Sequence, residues 1–190
     1  MAVHSWEDFD HSRAKGMRDR FIPMDRVLEF AKLGRDDTIL DIGAGDGEYA
    51  QEFAKIAVKG SATAMEFTQT GLKLIRDRIA SSRLKNLHAV EANACAVNDF
   101  SGYTKIFMSN VFHDIRCKDD ILFRFEETLD AGAEIILIEF KPEAEFGPPM
   151  LSRISERQLE TIMARHGFAL LDRAEFQFHY MHKYAKKQKQ

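Results

Sequence analysis

The sequence predicts an α/β fold in which helices cover both faces of a mostly parallel β-sheet. Short β-rich runs alternate with segments whose apolar residues recur at helical spacing, from Pro23 to about residue 166. Ile135–Ile138 is apolar on both faces, as expected of a strand that helices cover on two sides. Two β-rich runs at the end, 169–175 and 178–184, are too close for a helix between them, so we expect an antiparallel hairpin.

Each element has a local signal. Pro23 suits the first turn of a helix, and Ser155 with Gln158 forms a capping-box pattern that opens another, which Gly167 ends. Between them, bulky β-rich residues alternate with amphipathic segments. The predicted strands before the hairpin are 38–42, 61–66, 87–91, 105–109 and 134–140, and the helices between them include 68–80 and 121–129.

The length of 190 residues fits one domain, which we place at 23–185. Residues 1–22 mix charge and aromatics, Trp6 and Phe9 among them, and we expect an arm or short helix that folds over the body as a possible lid. Residues 186–190 are a polar tail that we expect to fray.

The composition narrows the function classes. With 45% hydrophobic and 30% charged residues, the chain is not disordered, and no apolar run approaches the roughly 20 residues that span a bilayer. Its net charge of −3 argues against a broad phosphate-binding surface. Cys95 and Cys117 are too few and too far apart for a disulfide framework or a CxxC metal site. We therefore expect a cytoplasmic protein with a small-molecule partner.

A glycine-rich loop joins the first predicted strand to the next helix. Gly43, Gly45 and Gly47 follow the run Ile39–Ile42 directly. Glycines at these positions permit positive φ and let the backbone approach a ligand closely. Because the loop follows the carboxyl end of a parallel strand, it lies where ligands bind in such sheets.

Acidic residues around this loop disfavour a dinucleotide. Position 48, where the fingerprint G-x-G-x-x-G requires its third glycine, is Glu48. Glu48 and Asp46 would repel a pyrophosphate at the start of the helix, and Asp41 adds a carboxylate just inside the strand. We therefore expect a ligand that carries positive charge, and a nicotinamide dehydrogenase is disfavoured.

Polar residues also follow the second and third strands. Glu66 ends the second strand, where a carboxylate can accept hydrogen bonds from both hydroxyls of a ribose. Asn93 follows the third strand, and its amide can accept from the exocyclic amine of an adenine and donate to a ring nitrogen. A plain turn residue explains Asn93 equally well.

From Asp25 to Tyr184 the chain resembles the class I S-adenosylmethionine-dependent methyltransferases, especially the small ones similar to those of quinone biosynthesis. Asp41–Gly47 is similar to the family's first motif, Glu66 to its ribose-binding acid, and the terminal hairpin to its reversed last strand. The resemblance implies a Rossmann-like three-layer sandwich with a seven-stranded sheet. It also implies S-adenosyl-L-methionine as the cofactor and S-adenosyl-L-homocysteine as its product.

The resemblance also assigns binding residues. The family's glycine loop holds the methionine portion of the cofactor, and Asn93 stands where an aspartate is commoner in the family. The residues that we expect to contact the cofactor are Asp41, Gly43, Ala44, Gly45, Gly47, Glu66, Phe67, Asn93, Ala94 and Ser109.

Methyl transfer from a sulfonium mainly requires alignment, and a general base is needed only if the acceptor must lose a proton. His113, after the fourth strand, is the candidate base or substrate-orienting group because imidazole titrates near neutrality. A histidine that merely flanks the next helix is the more conservative interpretation. We expect no metal site, since His179 and His182 would face opposite sides of a strand.

The acceptor class remains open at this point. We expect a small molecule rather than nucleic acid, because Ser109-Asn110-Val111-Phe112 stands where base-amino methyltransferases carry an Asn/Asp-Pro-Pro-aromatic motif. One alternative is the same fold acting on RNA or protein, which the Lys-rich tail would favour. Another is a module that binds S-adenosylmethionine or S-adenosylhomocysteine without turnover.

Overall fold

The computed structural model describes residues 9–187, and these form a seven-stranded sheet of order β3-β2-β1-β4-β5-β7-β6. Strands β1 to β5 are parallel, and β7 pairs antiparallel with both β5 and β6. The strands are β1 Thr38–Ile42, β2 Ser61–Glu66, β3 Leu87–Glu91, β4 Lys105–Ser109, β5 Glu134–Phe140, β6 Phe168–Glu175 and β7 His179–Lys186. The helices are α1 His11–Phe21, α2 Met24–Ala31, α3 Glu48–Ile56, α4 Gln69–Ser82, α5 Lys118–Thr128 and α6 Glu156–Arg165.

Two apolar cores lie on the two faces of the sheet. One contains the buried side chains of α5 and α6, and the other contains those of α2 and α3 together with Ile75 of α4. Strand β5 contributes to both, because Ile135 and Leu137 belong to the first core while Ile136 and Ile138 belong to the second. The predicted three-layer arrangement is therefore confirmed, and the doubly apolar run is an interior strand of the sheet, between β4 and β7.

Helix ends follow the local signals. The capping box at Ser155 and Gln158 is present, with both reciprocal hydrogen bonds. Gly167 follows α6 with φ 77°, which a residue with a side chain rarely adopts. Thr68 caps α4 by accepting from the amide of Gly71. Helix α2 ends at Ala31, three residues before Gly34, which is the residue that the sequence predicts to stop it.

The order of the strands creates the place for a ligand. The chain runs outward from β1 through β2 to β3 and then returns to β4 on the other side of β1. The loops after β1 and β4 therefore leave the sheet in opposite directions and open a crevice at the carboxyl ends of these strands.

The two ends of the chain differ in part from the expectation. Helix α1 confirms a short helix within the arm, whereas Trp6 lies outside the described residues. Lys186 ends β7 instead of beginning the tail. Residues 188–190 of the predicted tail also lie outside the described part of the chain. Among residues 9–187, no helix combines the length and the apolar character that crossing a bilayer requires.

Candidate functional site

The loop after β1 adopts the conformation that its glycines predict. Gly43, Gly45 and Gly47 have φ values of 68°, 59° and 74°. The amides of Gly43 and Ala44 both donate to the carbonyl of Met65 at the end of β2, at 2.9 and 3.0 Å. A Cβ on Gly43 would lie 2.3 Å from Cγ2 of Val111. The loop is therefore held tightly between the ends of β2 and β4, with no space for a side chain at Gly43.

Glu66 joins this loop to the start of α4. Its Oε2 accepts from the amide of Gly45 at 3.1 Å, while its Oε1 accepts from the amides of Phe67 and Thr68 and from the Thr68 hydroxyl. The residue is only 6% exposed. Because Oε1 already has three donors, Oε2 has more room for a ligand hydroxyl. Binding both ribose hydroxyls, as the sequence predicts, would require Oε1 to release a donor of the protein.

A cavity of about 490 Å³ opens beside the loop and Glu66. This volume suits a small ligand or cofactor. Nine of the ten predicted cofactor residues line it, the exception being Gly47, which is the N-cap residue of α3. The fold thus gathers residues from the ends of β1, β2, β3 and β4 around one space.

Asn93 lines this cavity with part of its side chain already engaged. Its Oδ1 accepts from the amide of Cys95 at 2.9 Å and caps a short 3₁₀ turn, Ala94–Ala96. The side-chain amide nitrogen of Asn93 has no such bond within the described residues, which leaves a donor for a ligand. The structure therefore combines the turn role and the possibility of a ligand contact.

Buried polar atoms without a hydrogen-bond partner concentrate in this cavity. Among the described residues there are six such side-chain atoms, and five belong to residues that line it. An unpaired buried polar group costs about 1–3 kcal/mol, so their clustering indicates a site that a polar ligand completes. The five atoms are His11 Nε2, Arg18 Nε, Asp41 Oδ2, Tyr49 Oη and Asn110 Oδ1.

Asp41 responds most strongly to this environment. Burial raises the pKa of Asp41 to about 8, with the nearby carboxylates of Asp46 and Glu66 adding to the rise and Arg18 opposing it. Its carboxyl group is therefore largely neutral at pH 7 in the free protein. A positively charged ligand group beside Asp41 would favour the ionised form.

The acidic residues of the loop are neutralised by the chain itself, contrary to the expectation. Arg18 of α1 binds Asp46 at 3.1 Å and also contacts Glu48, and Lys15 binds Glu48 at 2.9 Å. Arg78 of α4 donates to the Asp46 carboxylate and to its carbonyl, at 3.0 and 2.7 Å. Free acidic charge at this loop was a wrong expectation, because helices distant in sequence supply the cations.

These ion pairs fasten α1 over the cavity, so Arg18→Ala is expected to release it. Two carboxylates lose a partner that is only 15% exposed, and we expect the free energy of unfolding to fall by about 1–3 kcal/mol. Chemical denaturation measures the loss. Arg20→Ala is the matched control, since Arg20 lies on the exposed side of the same helix and binds neither acid. Equal losses for both variants would contradict the fastening role.

Sequence reasoning missed several residues at the cavity. The α1 residues His11, Ala14 and Arg18 line it although α1 has no fully buried side chain. Asn110 follows β4 with φ 56°, unusual for a residue with a side chain. Asparagine tolerates this left-handed conformation better than most residues with a side chain. An asparagine directly after a predicted strand was therefore a signal that could have pointed to this position.

His113 lies behind the cavity wall and does not line it. Its Nδ1 is 2.7 Å from Oε2 of Glu139 and its Nε2 is 3.0 Å from Oδ2 of Asp114. Burial opposes the charged ring, but the hydrogen bonds and charges of Asp114 and Glu139 outweigh it and raise the pKa of His113 to about 9. A protonated ring with both nitrogens engaged favours a positioning role over the predicted role as a base.

The pKa of His113 makes stability depend on pH. Since the folded value of about 9 exceeds the unfolded value of about 6.5, the charged ring stabilises the fold fully below pH 6.5. That contribution, on the order of 3 kcal/mol, is lost as the pH rises through 9. We expect unfolding free energy to fall between pH 6.5 and 9 more steeply in the wild type than in His113→Gln. Parallel curves would contradict the assignment, because Asp41 titrates in both proteins.

The two cysteines form a disulfide. The prediction that they are too far apart in the sequence for disulfide bonding is therefore wrong. Cys95 and Cys117 are 22 positions apart, with Cα atoms 5.8 Å apart. The loops after β3 and β4 meet here, and Arg124 of α5 donates to the carbonyls of Cys95 and Val97. The cysteine count therefore no longer supports a reducing compartment, and a cytoplasmic location stays a prediction.

Removing this disulfide is expected to lower stability. A closed loop of this size corresponds to about 3 kcal/mol in the chain-entropy treatment. The variant Cys95→Ala/Cys117→Ala should unfold at lower denaturant concentration than the oxidised wild type. A reductant should shift the wild type toward the variant and leave the variant unchanged. An oxidised wild type that shows no difference from the variant would contradict the expectation.

The strand order, the glycine loop and the acid at the end of β2 together define a class I S-adenosylmethionine-dependent methyltransferase. The family described as "Methyltransferase domain" matches residues 40–135, just over half of the chain. The chain therefore belongs to this family of S-adenosylmethionine-dependent methyltransferases.

Known proteins agree with this assignment. A probable ribosomal RNA small subunit methyltransferase A of Methanothermobacter thermautotrophicus is 30% identical over 136 residues, which cover 68% of this chain but only 45% of that relative. A SAM-dependent methyltransferase from Aquifex aeolicus superposes with a TM-score of 0.80 at 22% identity, over 93% of this chain and 98% of the other. An O-methyltransferase from neocarzinostatin biosynthesis, in complex with S-adenosyl-L-homocysteine and 1,4-dihydroxy-2-naphthoic acid, gives a TM-score of 0.65 at 18% identity, over 78% of this chain and 49% of the other.

Proposed function

We propose that this methyltransferase acts on a small-molecule acceptor at the cavity beside the glycine loop. The observation that carries the proposal is that five buried polar atoms without a hydrogen-bond partner belong to residues that line this one cavity. They are atoms of His11, Arg18, Asp41, Tyr49 and Asn110.

The residues of the cavity fit S-adenosylmethionine. Glu66 Oε2 can accept from a ribose hydroxyl, Asn93 can donate toward an adenine, and Asp41 can pair with a cationic ammonium. Gly43 and Gly45 allow the backbone to approach the ligand without a side chain. When bound, the cofactor supplies a methyl group on a positively charged sulfur. The protein's task is then to align the acceptor and to exclude water.

The shape of the entrance to the cavity favours a small acceptor over a long polymer. Four residues with carboxyl groups and two arginines line the cavity, but Asp41 is largely neutral and Asp46 is paired with Arg18, so the lining carries little net charge. Phe9 and the first two turns of α1 also cover part of the opening. The carboxyl groups belong to Asp41, Asp46, Glu66 and Asp114, and the arginines are Arg18 and Arg116.

The test has two stages. Calorimetry with S-adenosylmethionine and S-adenosylhomocysteine should show binding of both. Incubation of a small-molecule extract with methyl-labelled cofactor should then yield a labelled product of less than about 1 kDa, which is the mass range of small metabolites. Binding without any labelled product would favour a module without turnover. Absence of binding at millimolar cofactor would contradict the proposal.

RNA is the second candidate acceptor, and a specific surface favours it. A cleft of about 620 Å³ lies next to the cavity, with His113 lining the cleft and Asp114 lining the cavity. The described residues that line the cleft include four cationic side chains and no acidic one, in a chain of net charge −3. The curated relative named above is itself a probable ribosomal RNA methyltransferase. The four cations are Lys118, Arg153, Arg157 and Arg165.

Salt dependence distinguishes the two acceptors. If RNA lies in the cleft, Arg157→Ala/Arg165→Ala should weaken RNA binding and lower the slope of log affinity against log salt by about 2. The matched control is Lys59→Ala/Lys85→Ala, which removes the same charge at the amino ends of β2 and β3. Equal effects of the two double variants, or no RNA binding at low salt, would remove RNA as a candidate.

A further inference from the structure

We propose that Asp114 accepts a proton from the acceptor, with His113 and Glu139 as positioning residues, so that the acceptor is methylated at an oxygen or nitrogen that carries a proton. This inference rests on the proposed function and adds the class of the acceptor atom. It also moves the base from the predicted histidine to the residue that follows it.

The geometry places Asp114 at the cavity and His113 behind it. Asp114 ends a 3₁₀ turn, Phe112–Asp114, that begins three residues after the end of β4. Asp114 lines the cavity, and its side chain is 33% exposed. His113 Nε2 holds Oδ2 of Asp114 at 3.0 Å. Oδ1 of Asp114 therefore remains available for a ligand that enters the cavity.

Glu139 fixes this turn from β5. Its Oε1 accepts from the backbone amide of His113 at 3.0 Å, and its Oε2 lies 2.7 Å from Nδ1 of the same residue. Glu139 is fully buried, at 0% exposure. The buried carboxylate thus binds both the backbone and the ring of His113 and fixes the orientation of the ring. In that orientation Nε2 points toward Asp114.

Such a network is expensive to bury and does not by itself indicate stability. Buried ion pairs are often replaced by apolar residues of similar volume without loss of stability. The turn Phe112–Asp114 already has an apolar anchor, since Phe112 is fully buried in the core. What the charged network adds is the placement of one carboxylate oxygen at the cavity, which an apolar substitute would not provide.

Asp114 lies among groups of both charges. The groups around it are His113 in its own turn, Glu139 on β5, Lys118 on α5 and Arg116 in the loop between. His113 has no free nitrogen to accept a proton, because both are engaged by carboxylates. A weak base suffices, since an oxygen or nitrogen that gains a methyl group becomes far more acidic as it does so.

The proton balance of the step is simple. The lone pair of the acceptor atom forms the new bond to carbon while the pair of the broken carbon–sulfur bond stays on sulfur. The proton of the acceptor atom passes to Oδ1 of Asp114 and from there to water through the exposed part of that side chain. No oxidant, reductant or metal enters the balance.

Asp114→Asn is the decisive variant because it keeps the shape and removes the base. The probe is a small-molecule extract incubated with methyl-labelled S-adenosylmethionine, with Asp119→Asn as the control at a nearby exposed acid on α5. We expect at least a 100-fold loss of labelled product for Asp114→Asn, in line with the usual contribution of general base catalysis of about 10²–10⁴-fold. The calorimetric affinity for S-adenosylmethionine should be unchanged in both variants. Equal labelling by Asp114→Asn and wild type would overturn this inference, whereas no labelling by the wild type would overturn the proposed function.

His113→Gln tests the positioning role separately. It should lower kcat on the labelled product more than it raises KM. The reason is that Oδ2 of Asp114 loses the contact with Nε2 of His113 that holds the carboxylate toward the acceptor. A merely structural role would lower the stability of the fold without this separation of kcat from KM. Wild-type kcat in the His113→Gln variant would contradict the inference.

Discussion

Replacing Gly43 with alanine is expected to be the most damaging single substitution in the cofactor loop. The new Cβ would lie 2.3 Å from Cγ2 of Val111, and the residue would keep a φ of 68°. The left-handed conformation costs about 1–2 kcal/mol and the forced overlap about 1–3 kcal/mol. We therefore expect a loss of about 2–5 kcal/mol in unfolding free energy, measured by chemical denaturation.

Two further variants separate the causes of this loss. Gly102→Ala has a similar φ of 78° but no atom within 4 Å of the new Cβ, so it reports the conformational cost alone. Val111→Ala in the Gly43→Ala background should recover the steric part and leave the conformational part. If Gly43→Ala and Gly102→Ala lowered the unfolding free energy equally, the close contact with Val111 would contribute nothing to the loss.

Much of the fold could be predicted because its signals are local. The bounds of β1, β2, β3, β4 and β5 match the predicted runs residue for residue. The hairpin could be predicted from the length of the connection alone, because the three residues between β6 and β7 are too few for the crossover that a parallel pair of strands needs. In each case the pattern that specifies the element lies within the element itself.

The parts that could not be predicted depend on contacts between distant segments. Lys15 pairs with Glu48 and Arg18 pairs with Asp46, although the partners are about 30 positions apart in the sequence. The residue pattern of α1 does not predict that pairing. The bond between Cys95 and Cys117 likewise requires two loops to meet above the sheet. Asp46 and Glu48 therefore stay charged but are paired with cations in the fold, and the sequence alone could not show this pairing.

The candidate site shows the same division. Residues at strand ends, such as Glu66 and Asn93, were predictable because the parallel sheet places all its carboxyl ends at one edge. His113 was also found at the correct strand end, but its orientation was not predictable. Glu139, 26 positions further along the chain, decides which way the ring points.

Glu66→Gln is expected to weaken the binding of S-adenosylmethionine by about 10- to 150-fold. The figure corresponds to the loss of charge-assisted hydrogen bonds of about 1.5–3 kcal/mol. The carboxylate accepts from the amides of Gly45, Phe67 and Thr68, so its removal loosens the glycine loop in addition to removing an acceptor for the ribose. Calorimetry at a temperature where the variant is folded measures the change in affinity.

Glu91→Gln is the matched control for this experiment. Glu91 pairs with Glu66 in the register of β2 and β3, but its side chain is 52% exposed and does not line the cavity. Both substitutions remove one negative charge at the same edge of the sheet. A loss of affinity confined to Glu66→Gln would therefore reflect contact with the cofactor loop, and equal losses would indicate only the change in net charge. Wild-type affinity in a folded Glu66→Gln protein would remove Glu66 from the site, since no other carboxylate at the end of β2 could take its place.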